Sequence, residues 1–280
     1  MNYTFKPIQT DDNSIEEISN VLQGTFPNTK KFTKEFVRWQ YADNPIGPMI
    51  GYNAYLGDQL AAHYALMPLK ACIDGKEEKG LLSLNTATHP NHRGKGLFTT
   101  LAQKSYDLAI DEGYSFVVGV ANAQSTPGFL KKLDFQLAGS LEAKLGLGKV
   151  AYKDANDTFI FERIWDEASL HWRLSNPELP YHVKKGRVSV RTDNLFIQAV
   201  LRDFGEKQFV PNKNHPLGFR PIRLWIGINH NIDWKKSFYF DIPSRFRPSP
   251  LNLIFKDLSS KNRKFKSSEV RFSALDFDAY

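Results

Sequence analysis

The stretch from Leu81 to Asp111 limits the fold more than any other part of the chain. A strand-like run, Leu82 to Thr88, stops at Pro90, which has no N–H to give a sheet ladder. A tight basic loop follows, His92-Arg93-Gly94-Lys95-Gly96. Beyond it Leu97, Phe98, Leu101, Ala102, Tyr106, Ala109 and Ile110 recur at helical spacing until Gly113 stops the pattern. Strand, glycine loop and helix in this order can form a phosphate cradle. The glycines let successive backbone N–H groups converge on an anion, and the new helix points its positive end at the same place. A glycine turn at a strand–helix junction can also be only a turn. Here Arg93 and Lys95 add charge to it. A second apolar strand, Phe116 to Val120, follows the helix and ends in Asn122-Ala123-Gln124-Ser125.

This order, closed by a short helix running to Leu133-Asp134-Phe135, resembles the GNAT superfamily, the Gcn5-related N-acyltransferases, over about residues 3 to 145. The resemblance implies an α/β (α+β) fold with a mixed central sheet flanked by helices. It also implies acyl-CoA as co-substrate, acetyl-CoA or a longer acyl-CoA, and no metal. The pyrophosphate of coenzyme A would lie on Arg93, Gly94 and Gly96, with His92, Lys95, Leu97 and Phe98 beside them. The pantetheine would run along the central strand, bonded by the backbone of Thr86, Ala87 and Thr88, with Asn122 completing the contacts.

Charge and composition fit that expectation. A formal charge of +7 favours a polyanionic partner, and coenzyme A or a nucleotide-linked substrate would satisfy it. The single Cys72 excludes an intramolecular disulfide, and no Cys/His cluster has metal-ligand spacing. No apolar run approaches membrane-spanning length and no signal-peptide pattern opens the chain, so a cytoplasmic protein without membrane insertion is expected.

Along the chain, the pattern predicts a strand from Tyr3 to Ile8, a helix from about Thr10 to Gln23 broken at Pro27 and Asn28, and a helix ending at Tyr41. Strands Ile50 to Leu56 and Leu60 to Ile73 flank the hairpin turn Gly57-Asp58, and one more strand covers Phe135 to Leu145. The second half echoes the first. Trp39-x4-Asn44-Pro45-x-x-Pro48 returns as Trp172-x3-Asn176-Pro177-x-x-Pro180, each Trp late in a predicted helix. Two modules follow from this reading. Residues 1–148 form a GNAT domain that binds acyl-CoA, and residues 149–280 form a degenerate GNAT-like domain that lacks the loop and completes the acceptor site. The run Lys261 to Lys266 reads as a solvated loop.

The chemistry is less complete than the binding. Many GNAT enzymes carry a carboxylate base on the central strand, where this chain has Ser83, Asn85, Thr86 and Thr88. Many also carry a Tyr acid in the short helix, where the alignment places Leu130, with Asp134 at the usual Gly. The remaining catalytic candidates are His63, Asn85 and Tyr64, with His63 or Tyr64 expected to face the cleft. One CoA module followed by a cofactor-free one looks most like the bacterial sugar N-acyltransferases. That likeness implies transfer to a primary amine of a nucleotide-linked amino sugar in surface-polysaccharide synthesis, without nucleic acid as partner. The alternatives are a peptidoglycan-type peptidyltransferase using aminoacyl-tRNA and a non-catalytic coenzyme A-binding protein.

Overall fold

Among the residues described by the computed structural model (2–27, 29–153, 159–205, 209–211, 213, 215–247 and 249–277), fifteen strands join into one mixed sheet. The first half runs β1 (Thr4–Pro7), α1 (Asp12–Thr25), α2 (Lys34–Tyr41), β2 (Ile50–Leu56), β3 (Gln59–Ile73), β4 (Lys76–Thr88), α3 (Leu97–Asp111), β5 (Phe116–Ala121), α4 (Thr126–Lys132), β6 (Gln136–Ser140) and β7 (Glu142–Gly146). The second half runs β8 (Phe161–Ile164), α5 (Glu167–Leu174), β9 (His182–Lys184), β10 (Arg187–Arg191), β11 (Ile197–Asp203), β12 (Ile222–Ile228), β13 (Tyr239–Asp241), β14 (Asn252–Asp257) and β15 (Val270–Ser273). This is the mixed α/β architecture that the family resemblance implies.

Local chemistry explains the boundaries. Asp11 caps α1 by accepting from the N–H groups of Asn13 and Ser14, so the helix starts just after the expected Thr10. Thr33 caps α2 through Phe36 N–H, and Asp166 caps α5 through Ser169 N–H. The expected break at Asn28 lies outside the described residues. The stripe on α3 buries Leu97, Leu101, Ala102 and Tyr106 as its spacing requires, but Ile110 is 50% exposed because the stripe has rotated off the sheet by then. The expected single strand from Phe135 to Leu145 is two, parted at Leu141, and the two pieces go to different partners.

That parting creates a reciprocal exchange. β7 leaves the first half and pairs antiparallel with β12, while β14 comes back from the second half to pair antiparallel with β5 and β6. Strands from either side of position 148 therefore complete each other's sheets. β3 supplies the spine, holding β2 along one stretch and β8 along another. Pro68 is tolerated within it because pairing with β2 stops at Leu66 and pairing with β8 starts at Lys70, which leaves no ladder for Pro68 to interrupt on that side.

The two echoed segments meet face to face. Trp39 and Trp172 stack with centroids 4.9 Å apart, and each indole N–H donates to the other's backbone carbonyl at 2.9 Å. Asn44 and Asn176 both fold back on their own segments, accepting from Ile46 N–H and Glu178 N–H. The result is a local two-fold arrangement around the main core, which α1, α2 and α5 line from both halves. The basic run Lys261 to Lys266 is not a free loop. Arg263 binds Asp257 at 2.8 Å and Glu78 at 2.7 Å, and Phe265 is buried beside them, so the run clasps the first half.

Candidate active site

The loop at Gly94–Gly96 has the left-handed backbone that its glycines allow. Gly94 and Gly96 adopt φ of +74° and +75°, and a Cβ built on either would meet nothing within 4 Å. The cradle therefore faces open space, and the glycines serve its backbone path. Gly96 also stands at the N-cap of α3 without a side-chain cap, which leaves the first-turn N–H groups available to an anion. The exposed Arg93 reaches back to Thr88 O at 3.4 Å. Leu97 and Phe98 offer only their backbone, because Leu97 is buried and Phe98 packs edge-on against Phe129 at 5.3 Å. His92 turns inward, with its Nδ1 2.8 Å from Tyr3 Oη. Burial first, then the charge of Lys95, lowers its pKa. Its side chain thus ties β1 to the loop instead of facing the cradle.

From this loop the central strand leads to an opening. β4 and β5 pair in parallel only over Leu81–Ser83 and Val117–Gly119 and then diverge. His89 N–H bonds Ala61 O on β3, so strand alternation turns the Thr88 amide away from β3, toward the gap. Ala87 itself is buried against β3. At the fork lies a hollow of about 200 Å³ lined by Ser83, Leu84, Asn85, Val120, Lys31 and Phe277. Val120 and Phe277 also border a cavity of about 610 Å³, walled by Leu141 and Ala143 on one side and Leu224, Ile226, Phe246 and Arg247 on the other. Asn122 reaches the rim of that cavity, but its Oδ1 is used to cap the start of α4, accepting from Gln124 and Ser125 N–H.

Asn85 marks the fork. It sits in the left-handed region, φ +52°, beside the irregularity where β4 and β3 shift register. Its Nδ2 donates to Gln40 Oε1 at 2.5 Å and to Tyr41 Oη at 3.2 Å. Tyr41 Oη lies 2.8 Å from His63 Nε2, and His63 Nδ1 lies 2.6 Å from Asn53 Oδ1. Because Asn53 presents its carbonyl oxygen, the ring proton belongs on Nδ1, and Nε2 accepts from Tyr41. Asn53 continues through Tyr55 to Glu17.

The expectation that His63 or Tyr64 faces the cleft is therefore corrected. Both are fully buried, on opposite faces of β3, because the strand is covered by α2 on one side and α3 on the other. Burial pushes the His63 pKa down to about 3, so the ring stays neutral and structural in its bonding. Tyr64 bonds Tyr106 at 2.6 Å and Ser83 at 3.0 Å, and burial pushes its pKa up to about 12. Gln40, Tyr41 and Asn53 were invisible as a network in the sequence, since only folding brings α2 and β2 to His63. Phe277 was missed as a lining residue for the same reason, lying far along the chain from the fork.

Residues 6–138 match the family model of the acetyltransferase (GNAT) domain. No curated protein matches the sequence significantly. A probable N-acyltransferase from Enterococcus faecalis superposes with a TM-score of 0.63 at 10% identity, over 92% of this chain and 73% of that one. A putative acetyltransferase from Pyrococcus horikoshii gives 0.55 at 9% identity, over 97% and 93%, and a GCN5-related N-acetyltransferase from Anabaena variabilis gives 0.56 at 12%, over 91% and 73%. At such identities these likenesses speak for the fold across nearly the whole chain. The domain match covers just under half of the chain, and together with these likenesses it places the fold of residues 6–138 with that of GNAT acetyltransferase domains.

Proposed function

We propose that the protein transfers an acyl group from coenzyme A to the primary amine of a nucleotide-linked amino sugar. The observation that carries the reading is the fork between β4 and β5, which joins the phosphate loop to a cavity built from both halves. In this reading residues 1–148 hold the thioester and residues 149–280 complete the acceptor site. Val120 and Asn122 line the cavity from one half, Leu224, Ile226 and Arg247 from the other. Arg247 and the formal charge of +7 suit a phosphorylated acceptor.

The chemistry asked of the protein is chiefly positioning. Backbone N–H groups at Thr86 and Thr88 polarise the thioester carbonyl, and the bound amine attacks it directly. The C–N bond forms, the C–S bond breaks, and the amine proton goes to solvent. A thiolate with a pKa of about 8.5 leaves without a dedicated acid. Asn85 has both Nδ2 hydrogens engaged by Gln40 and Tyr41, so its Oδ1 is the atom it can offer an incoming amine.

Thiol release from acetyl-CoA and longer acyl-CoA, measured with amino-sugar nucleotides, free amino sugars, polyamines and aminoacyl-tRNA, tests this. Release with amino-sugar nucleotides is expected. Release only with aminoacyl-tRNA, or coenzyme A binding without turnover on any acceptor, would overturn it.

A further inference from the structure

The outer face of the second half carries a cavity that the acyl-transfer reading does not use. In the first half, the outward side chains of β3, β4 and β5 (Ala62, Tyr64, Leu81, Val117) are apolar and α3 covers them. The second half has the matching strand pair, β11 parallel to β12, but no helix forms among the described residues between Asp203 and Ile222. The outward residues there are polar. Alternation sends Val183, Val188, Val190 and Ala199 into the core and leaves His182, Lys184, Arg187, Ser189 and Gln198 facing out. They line a cavity of about 770 Å³ instead of a packed interface.

Its charge is one-sided. Lys149, Lys184, Lys185, Arg187, Arg223 and Arg271 line it, with Asp203 as the one carboxylate among the described lining residues and Arg271 paired with Glu162 at 3.1 Å. Arg187 is held by Asp203 through Nε at 3.0 Å and Nη2 at 2.8 Å, which uses that carboxylate. Arg223 is anchored through Nη1 to the carbonyl of Gly148, while its buried Nε has no hydrogen-bond partner. Tyr152 lies on the wall and is 45% exposed, offering a ring face to a planar group.

We propose that this cavity binds a phosphorylated small molecule of nucleotide size, its phosphates on Lys149, Lys184 and Arg223. A volume of about 770 Å³ lies within the range of small-ligand sites. A concave pocket of that size suits a nucleotide better than a nucleic acid, which needs an extended basic track. The side chains of Leu224 and Ile226 line the 610 Å³ cavity, whereas their neighbour Arg223 points into this one. The two sites therefore lie on opposite faces of β12, and the proposal does not depend on which amine is acylated.

The test is titration with ADP and with inorganic pyrophosphate in the presence of saturating coenzyme A, which occupies the loop at Gly94–Gly96. Calorimetry should show a second binding event for both probes. The double variant Lys149→Glu/Lys184→Glu, at two exposed positions, should weaken it by about tenfold or more while coenzyme A binding and melting temperature hold. Absence of the second event would overturn the proposal, as would affinity unmoved by the double variant. Binding of a single-stranded oligonucleotide through the same lysines, tighter than ADP, would overturn it in favour of a nucleic-acid surface.

Discussion

The two halves contain the same parallel strand pair in opposite states. In the first, β4 and β5 separate after Ser83, and among the described residues Lys31, Leu84, Asn85, Val120 and Phe277 line the hollow at the fork. In the second, β11 and β12 separate after Val200, and the segment 272–276 fills the wedge. Phe272 and Ser273 pair with β12, Ala274 N–H bonds Ile226 O, and Leu275 N–H bonds Leu201 O. Asp276 locks the plug, accepting from Arg202 at 2.8 Å, Trp165 at 2.7 Å and Ser273 N–H at 2.6 Å. A diverging parallel pair leaves backbone groups without partners, and they must go to a ligand or to more protein. The second half satisfies them from its own chain, whereas in the first half the fork opens onto a hollow of about 200 Å³.

The most severe way to break this comparison is to cut the chain at Gly148. A fragment of residues 1–148 loses β14, which leaves β5 and β6 without the strand between them, and it loses the Trp172 partner of Trp39. We predict no cooperative unfolding transition and no acyl transfer from this fragment, by circular dichroism and thiol release. A folded fragment with an unchanged acceptor KM would show that the exchange is dispensable. Next is Asp276→Ala, which removes the carboxylate that accepts from the buried Trp165 and Ser273 and leaves Arg202 its ion pair with Glu162. Breaking such a pair should cost about 3–5 kcal/mol in urea unfolding. A cost below about 1 kcal/mol would mean that the plug does not depend on the lock.

Smaller in energy but sharper in function is Gly96→Asp. The side chain would occupy the open mouth of the cradle with the wrong charge, at a φ of +75° that costs a non-glycine residue about 1 kcal/mol. Coenzyme A at about 100 times its Kd should stabilise the parent protein by about 2.7 kcal/mol, seen as a rise in Tm. The variant should show no rise. A full rise would move the phosphate site away from α3.

How much of this could be read from the sequence depends on how far apart the cooperating residues lie. The cradle is one contiguous stretch, and the helical stripe after Gly96 together with the glycines announced it. The Trp39 and Trp172 segments were legible as an echo, although their stacking was not. What stayed hidden was every feature built from distant strands. The division of Phe135 to Leu145 depends on β12 and β14, which are chosen by the fold. Arg263 looked like part of a solvated run because Glu78 and Asp257 are brought to it by β4 and β14. His63 looked available because alternation gives one face of a strand to the core and, usually, the other to solvent. β3 is instead buried on both faces.

The last prediction concerns that histidine, and its effect on rate is the smallest. The folded state keeps the ring neutral down to about pH 3, while the unfolded chain takes up a proton at the ordinary value near 6.5. Between these limits the unfolded state binds one proton more, so the folded state loses stability as pH falls. The loss should approach about 1.4 kcal/mol per pH unit below 6.5, and nothing should be lost above it. His63→Gln cannot take up that proton. Its stability should therefore fall less steeply than that of the parent between pH 6 and 4, although it starts lower at pH 7 through a poorer fit to Tyr41 and Asn53. For catalysis the same pKa removes His63 as the group behind any rise of kcat/KM near neutrality. The variant should lose less than about tenfold in rate, with the ascending limb unmoved, because the remaining titration belongs to the acceptor amine. A loss of 10²-fold or more with a displaced limb would make the ring a base after all. Parallel stability curves for the two proteins would mean that the folded ring already takes up its proton near the ordinary pH.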